Sequence, residues 1–313
     1  MRDFYTRALL ASLPPAPVRS HWEETTMRPL LVATNLDACL LHAQTFSFEA
    51  ARPALRSLAA RGVPLVLASS KTRAEVLPLA EALGWHSPLI VENGGALLVP
   101  RGMLSRRVPG SLGLGRYEVI GLGPRRRALA AALEDIAVET GAQPRALSCL
   151  APAEVARLTG LAPLAIRRAQ RREWDEPFLA DASALEAISD AARRRGLRVV
   201  RGGRFLHLTG VGDKGSALGV LLDLLAADGR TFRTAAVGNA ASDVGLLERV
   251  DWAILMPRAS GDIEPTLAER LPAARRARQA GPSGWNEAVL AMLGEPAALA
   301  ASIVPAALLV PER

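Results

Sequence analysis

Four short segments of this 313-residue chain hold the residue types able to do chemistry. They are Asn35-Leu36-Asp37, Ser69-Ser70-Lys71, Asp213-Lys214 and Gly238-Asn239-Ala240-Ala241-Ser242-Asp243. Of the 38 basic residues only Lys71 and Lys214 are lysine, and Asn35 and Asn239 are two of the four asparagines, with Asn93 and Asn286. In a chain biased toward Ala, Arg, Gly and Pro, this concentration marks a site. The combination suits phosphate chemistry. A serine hydroxyl and backbone N–H groups hold phosphoryl oxygens, and a lysine opening a helix adds positive charge where the macrodipole already favours anions. Acidic groups from the first and last segments supply the oxygen ligands that magnesium prefers.

For these segments to meet, the elements that carry them must end at one edge of one sheet. Pro29–Thr34, Val63–Ala68 and Leu89–Val91 are short, continuous apolar runs, as expected of strands buried on both faces. Between them, Ala51–Ala60 reads as a helix stopped by Gly62, and a second helix is predicted from about Thr72 to Leu83. After residue 213 the alternation resumes, with a helix from Lys214 to Ala226, a strand at Thr234–Val237, a short helix at Val244–Arg249 and a strand at Trp252–Leu255. Such alternation implies right-handed crossovers and a parallel sheet covered on both sides, with ligands beyond the carboxyl ends of the strands. The middle of the chain departs from this pattern. Glycines crowd around Tyr117–Ile120 like a hairpin region, and Arg126–Glu139 carries Leu129, Leu133 and Ile136 on one stripe up to Gly141. Ser183 and Glu186 have capping-box spacing at the start of a helix running to Gly196, and Leu197–Val200 and Arg204–Leu208 flank Gly202-Gly203 as a second hairpin. The predicted class is α/β, a Rossmann-like parallel-sheet core with an inserted α+β cap domain. The expected division is an N-terminal extension over 1–27, a core over 28–103 and 200–294, the insertion over 104–199 and a C-terminal tail over 295–313.

Other classes are disfavoured. The formal charge of +7 comes from arginines in small groups within helix-like stretches, with only 4% aromatics, so solvated helix faces explain it better than a nucleic-acid surface. No apolar run reaches the roughly 18 residues of a membrane span. Two cysteines are too few for a disulfide framework or a structural zinc site, which points to a soluble cytoplasmic protein. A homodimer is compatible with the sequence. Gly210-Val211-Gly212-Asp213-Lys214-Gly215 satisfies G-x-G-x-x-G literally, but a dinucleotide site needs a βαβ unit around it. Cys39 reads as a small buried residue, and His207, alternating with Phe205, reads as structural ahead of ligand-contacting.

The motif set resembles the haloacid dehalogenase superfamily: a strand ending in an acid pair two residues apart, a second ending in Ser, a lysine opening a later helix, and a strand followed by Gly-Asp-x-x-x-Asp. The insertion resembles the Cof-like capped class. Ser69-Ser70-Lys71-Thr72-Arg73, Val91-Glu92-Asn93-Gly94-Gly95, Arg172-Glu173-Trp174-Asp175-Glu176-Pro177-Phe178 and Gly202-Gly203-Arg204-Phe205 bring it close to the mannosyl-3-phosphoglycerate phosphatases. The resemblance covers roughly residues 28–294 and implies magnesium-dependent hydrolysis of a phosphate monoester on a phosphorylated sugar-glycerate. It further implies that Asp37 is the general acid/base, that Ser69 holds the phosphoryl group and that Lys214 offsets its charge. Asn35, Asp37, Asn239 and Asp243 fall on the metal positions. Ser70, Lys71, Asn93 and Gly94 on the core side, with Glu176 and Arg204 on the cap, are the implied substrate contacts.

The chain departs from that pattern where the chemistry is done. Asn35 occupies the nucleophile position, Asn239 a metal-ligand Asp position, Ala38-Cys39 the usual Gly-Thr and Ser242 a position where Asn is common. A carboxamide has no anionic oxygen and is a poor nucleophile. Four carboxylates and one lysine would give the site about −3, whereas Asp37 and Asp243 against Lys214 give about −1. The expectation is a weakened magnesium site and impaired hydrolysis. The alternative is a catalytically silent homologue that binds or senses the phospho-sugar.

Overall fold

A computed structural model describes residues 28–202 and 204–294. The expected extension at 1–27 and tail at 295–313 lie outside the described residues. The first half of the core runs β1 (Leu30–Asn35), α1 (Arg52–Ala60), β2 (Leu65–Ala68), α2 (Arg73–Ala82), β3 (Leu89–Val91) and β4 (Ala96–Pro100). A hairpin follows, β5 (Leu112–Leu114) and β6 (Tyr117–Gly121). Then come α3 (Arg126–Thr140), β7 (Arg145–Ala146), α4 (Pro152–Thr159), α5 (Pro163–Ala169), β8 (Asp175–Leu179), α6 (Leu185–Arg194), β9 (Leu197–Arg201) and β10 (Leu206–Gly210). The chain returns to the core with α7 (Lys214–Ala227), β11 (Arg233–Gly238), α8 (Val244–Leu247), β12 (Trp252–Leu255), α9 (Pro265–Arg270), β13 (Arg275–Arg276) and α10 (Gly281–Met292).

The large sheet has the order β13-β12-β11-β1-β2-β3-β4-β6-β5. Its first six strands are parallel and its last three antiparallel. The continuous apolar runs predicted buried strands, and alternate residues feed two separate cores. Val32, Leu65, Leu67 and Val237 pack with α1, α2 and α10. Leu31, Ala33, Val66 and Ala236 pack against α7, α8 and α9. This is the three-layer α/β arrangement expected from the sequence.

The inserted module is a four-stranded antiparallel sheet, β7-β8-β10-β9, covered on one face by α3 and α6. Sheet membership changes hands at other residues than the expected 104 and 199. The hairpin Leu112–Gly121 extends the core sheet through β4, while Leu197–Arg201 and Leu206–Gly210 belong to the cap sheet. A hairpin's own sequence does not say which sheet edge it joins. The Ser183–Glu186 capping box is also absent. A short turn at Ala182–Ala184 leads into α6, and Ser183 makes no cap bond. The box that does form is at α2, where the Thr72 hydroxyl accepts the Glu75 N–H and the Glu75 carboxylate accepts the Thr72 N–H. Since β10 is antiparallel and lies in the cap sheet, Gly210–Gly215 has no βαβ unit around it and is no dinucleotide loop. Among the described residues no helix is long and apolar enough to cross a membrane.

Candidate active site

Strand register brings the site together. Asn35 at the end of β1 lies opposite Ala68, and Thr34 lies opposite Val237. Ser69 and Asn239, each beginning the loop after its strand, therefore flank Asn35 at the inter-strand spacing of about 4.8 Å. The end of β1 is held from behind by Trp285, whose Nε1 donates to Thr34 Oγ1 (2.9 Å). Lys214 reaches the same point from the first residue of α7, whose N-cap Asp213 accepts the Ser216 N–H (2.7 Å). Gly94 adopts φ +94°, and a Cβ there would stand 2.2 Å from the Asp213 carbonyl oxygen. The Glu92–Gly94 turn is thus pressed against the start of α7 by backbone contact alone.

The polar groups at the strand ends saturate one another. Lys214 Nζ, almost fully buried, donates to Asp243 Oδ1 (2.7 Å) and to Asn35 Oδ1 (3.1 Å). Asn35 Nδ2 donates to Asn239 Oδ1 (2.8 Å) and to the Asp37 carbonyl (3.3 Å). The other oxygen of Asp243 accepts the backbone N–H groups of Asn239 (3.0 Å) and Ala240 (3.1 Å). Lysine has only donors, so its contact fixes which end of the Asn35 amide faces it, and hence which end faces Asn239. Lys71 Nζ lies 3.0 Å from Asp37 Oδ1, close enough to pair but not aligned as a hydrogen bond, so that oxygen keeps its acceptor capacity. Ser69 is buried, and its hydroxyl accepts the Lys71 N–H (3.1 Å).

A second polar cluster lines the joint between core and cap. Asp175, fully buried on β8, accepts from His207 Nδ1 on β10 (2.9 Å) and from Asn93 Nδ2 (3.1 Å), with Arg172 Nη1 at 3.3 Å. The same Arg172 nitrogen donates to the Ser70 carbonyl (2.9 Å), tying the cap to the phosphate loop. Burial works against the Asp175 carboxylate, but the charges of His207 and Arg172 and the hydrogen bonds from His207 and Asn93 hold it below the ordinary carboxylate range. Glu92 accepts the backbone N–H groups of Glu173 (3.0 Å) and Trp174 (2.8 Å), and burial pushes its carboxyl up to about 7 against the opposing charge of Arg172. Three buried side-chain atoms here have no hydrogen-bond partner among the described residues, Asn93 Oδ1, Arg172 Nε and Trp174 Nε1.

Comparison with known proteins gives this arrangement a family. A model of haloacid dehalogenase-like hydrolases matches residues 32–103. The chain is 33% identical over 267 residues to the glucosyl-3-phosphoglycerate/mannosyl-3-phosphoglycerate phosphatase of Methanococcoides burtonii, covering 85% of this chain and 97% of that protein. The chain belongs to that phosphatase family. A relative of the same name from Persephonella marina is 31% identical over 269 residues, covering 85% of this chain and 98% of that protein. In fold, the structure matches a haloacid dehalogenase-like hydrolase from Bacteroides thetaiotaomicron with a TM-score of 0.60 at 19% identity, covering 85% of this chain and all of that one.

The structure places Asn35, Asp37, Ser69, Lys71, Lys214, Asn239 and Asp243 together at the strand ends. Ser70 lies beside them and meets the cap through Arg172. Asn93 faces Asp175, whereas Gly94 is taken up by its contact with Asp213. The two cap expectations are not met. Glu176 is buried inside the cap, where it accepts from Arg126 Nη1 (3.1 Å) and the Ser148 N–H (3.4 Å). Arg204 is exposed and donates to the Leu158 carbonyl on α4. Asp175, one position earlier on the same strand, and His207 lie instead on the opposite face of the cap sheet. Cross-strand pairing sets Glu176 beside Leu208 and Phe178 beside Leu206, on the face that packs against α3 and α6. Period-2 alternation anchored on Phe178 was the signal that separates them. Cys39 is fully buried, and burial, with Asp243 nearby, pushes its thiol well up, so it serves as core.

The fit of a divalent cation follows from the donor set. Of the four family metal positions, the side-chain oxygens of Asn35, Asn239 and Asp243 already accept hydrogen bonds within the site. Only Asp37 offers an anionic oxygen free of one, and among the described residues no group of three His, Cys, Asp or Glu is placed to hold a metal. Magnesium demands near-octahedral oxygen coordination with little tolerance, and the residues present do not fit it.

Proposed function

We propose that this chain binds the phosphoryl group of a phosphorylated sugar-glycerate at the strand ends and does not hydrolyse it. The observation that carries this reading is the state of Asn35. Its Oδ1 accepts from Lys214 and its Nδ2 donates to Asn239, so no anionic oxygen stands where an attacking carboxylate belongs. Losing the nucleophile of a concerted site typically lowers kcat by a factor on the order of 10^4 to 10^6. Groups suited to holding phosphoryl oxygens support the binding half of the reading. Ser69, Lys214 and Lys71 offer a hydroxyl and two cations around the strand ends. The substrate class comes from the names of the relatives, phosphatases of glucosyl- and mannosyl-3-phosphoglycerate.

Asp37 supports a second reading. It keeps an oxygen free of hydrogen bonds, as an acid/base group needs, which favours slow turnover by direct attack of water. A phosphate-release assay on mannosyl-3-phosphoglycerate decides between the two. The expected result is negligible release by the unaltered chain and a rise of several orders of magnitude on Asn35→Asp with Asn239→Asp. Robust release by the unaltered chain would sink the silent reading.

A further inference from the structure

We propose that the site holds its phosphoryl anion without a divalent cation, with the Asn35–Asn239 carboxamide pair standing in its place; this rests on the phosphate-binding reading above. Two carboxylates with oxygens 2.8 Å apart repel and persist only with a proton or a cation between them. Two carboxamides at that separation bind each other, and Asn35 Nδ2 and Asn239 Oδ1 do so at 2.8 Å. The pair is a matched unit, since the donor end of one meets the acceptor end of the other, and Lys214 fixes both orientations. A single carboxamide could also donate to a carboxylate at the other position, but only the pair makes the contact with no net charge on either side.

The charge of the site agrees. Asp243 is paired with Lys214 at 2.7 Å and Asp37 with Lys71 at 3.0 Å, so two anions meet two cations and the site is neutral before any ligand enters. A phosphoryl dianion entering a neutral site meets Ser69, Lys214 and Lys71 without net repulsion. With carboxylates at 35 and 239 the same dianion would enter a site of about −2, and a metal would be required to hold it. The two replacements therefore remove the need for the cation along with the means of binding it.

The test is calorimetric titration of the unaltered protein with inorganic phosphate, in excess EDTA and in millimolar magnesium chloride. The expected result is phosphate affinity that differs less than twofold between the two buffers. A tightening of tenfold or more in magnesium would overturn the inference while leaving the phosphate-binding reading in place. Absence of phosphate binding in both buffers would overturn the reading itself, and the inference with it. The Asn35→Asp/Asn239→Asp double variant is the positive control, expected to show at least tenfold dependence on magnesium, with each single change showing much less. Should the double variant fail to fold, the unaltered protein still decides the question, because both of its titrations stand alone.

Discussion

The strand-end site and the core–cap joint lie one residue apart along the phosphate loop, at Ser69 and Ser70, yet they treat polarity in opposite ways. At the strand ends, amides and ion pairs close on one another, and only Asp37 keeps a free oxygen. At the joint, full charges are buried together, and Arg172 and Asn93 each keep an atom without a partner. Buried polar atoms are costly to leave unpaired, by about 1–3 kcal/mol each, which sets the joint apart from the saturated strand ends. The contrast separates two functions that phosphatases normally combine. In the proposed reading, the strand ends lack the attacking carboxylate while the groups suited to holding a ligand remain.

Each side of this contrast can be broken separately. The largest effect is expected from Lys214→Met, which leaves the Asp243 carboxylate buried without its cation. A loss of about 3–5 kcal/mol in chemical denaturation is expected. Next comes the joint's response to pH. The Glu92 carboxyl is raised from 4.5 to about 7, so the folded state binds its proton more tightly than the unfolded chain. This contribution is fully present below about pH 4.5 and is lost as pH rises through 7. Stability should fall by up to about 3 kcal/mol between those limits, and Glu92→Gln should flatten the profile. Asp175→Asn should cost about 2 kcal/mol by weakening the bonds to His207 and Arg172, and it should weaken ligand binding without restoring turnover. The smallest effect concerns Ala38, held at φ 55° where the family uses glycine. Ala38→Gly should stabilise by about 0.5–1 kcal/mol in a thermal melt, because a left-handed conformation is strained for any residue with a Cβ.

Much of this was legible in the sequence because strand order in a parallel sheet is tied to apolar run and helix alternation. The runs at Pro29–Thr34, Val63–Ala68 and Thr234–Val237 place three loops at one edge, and the shortage of lysine and asparagine marks the same loops. What escaped depends on partners distant in sequence. Tyr117–Gly121 looks the same whether it pairs with β4 or with the cap, and only the tertiary register decides. Asp175 and Glu176 are adjacent acids on one strand, and the packed position of Phe178 determines which of them shares the face against α3 and α6. The resemblance implies a substrate contact at Arg204, but its side chain is exposed and donates to the Leu158 carbonyl. Asn286, the fourth asparagine, proves structural, accepting the Ala54 N–H at the start of α1 (2.8 Å).

The central claim, binding without hydrolysis, is tested most directly by phosphorus NMR of mannosyl-3-phosphoglycerate mixed with a stoichiometric amount of the unaltered protein in magnesium buffer. The account predicts that the phosphomonoester resonance shifts or broadens on addition of protein, and that no orthophosphate resonance grows in over hours. Stoichiometric appearance of orthophosphate, or a phosphomonoester resonance unchanged by the protein, would contradict it.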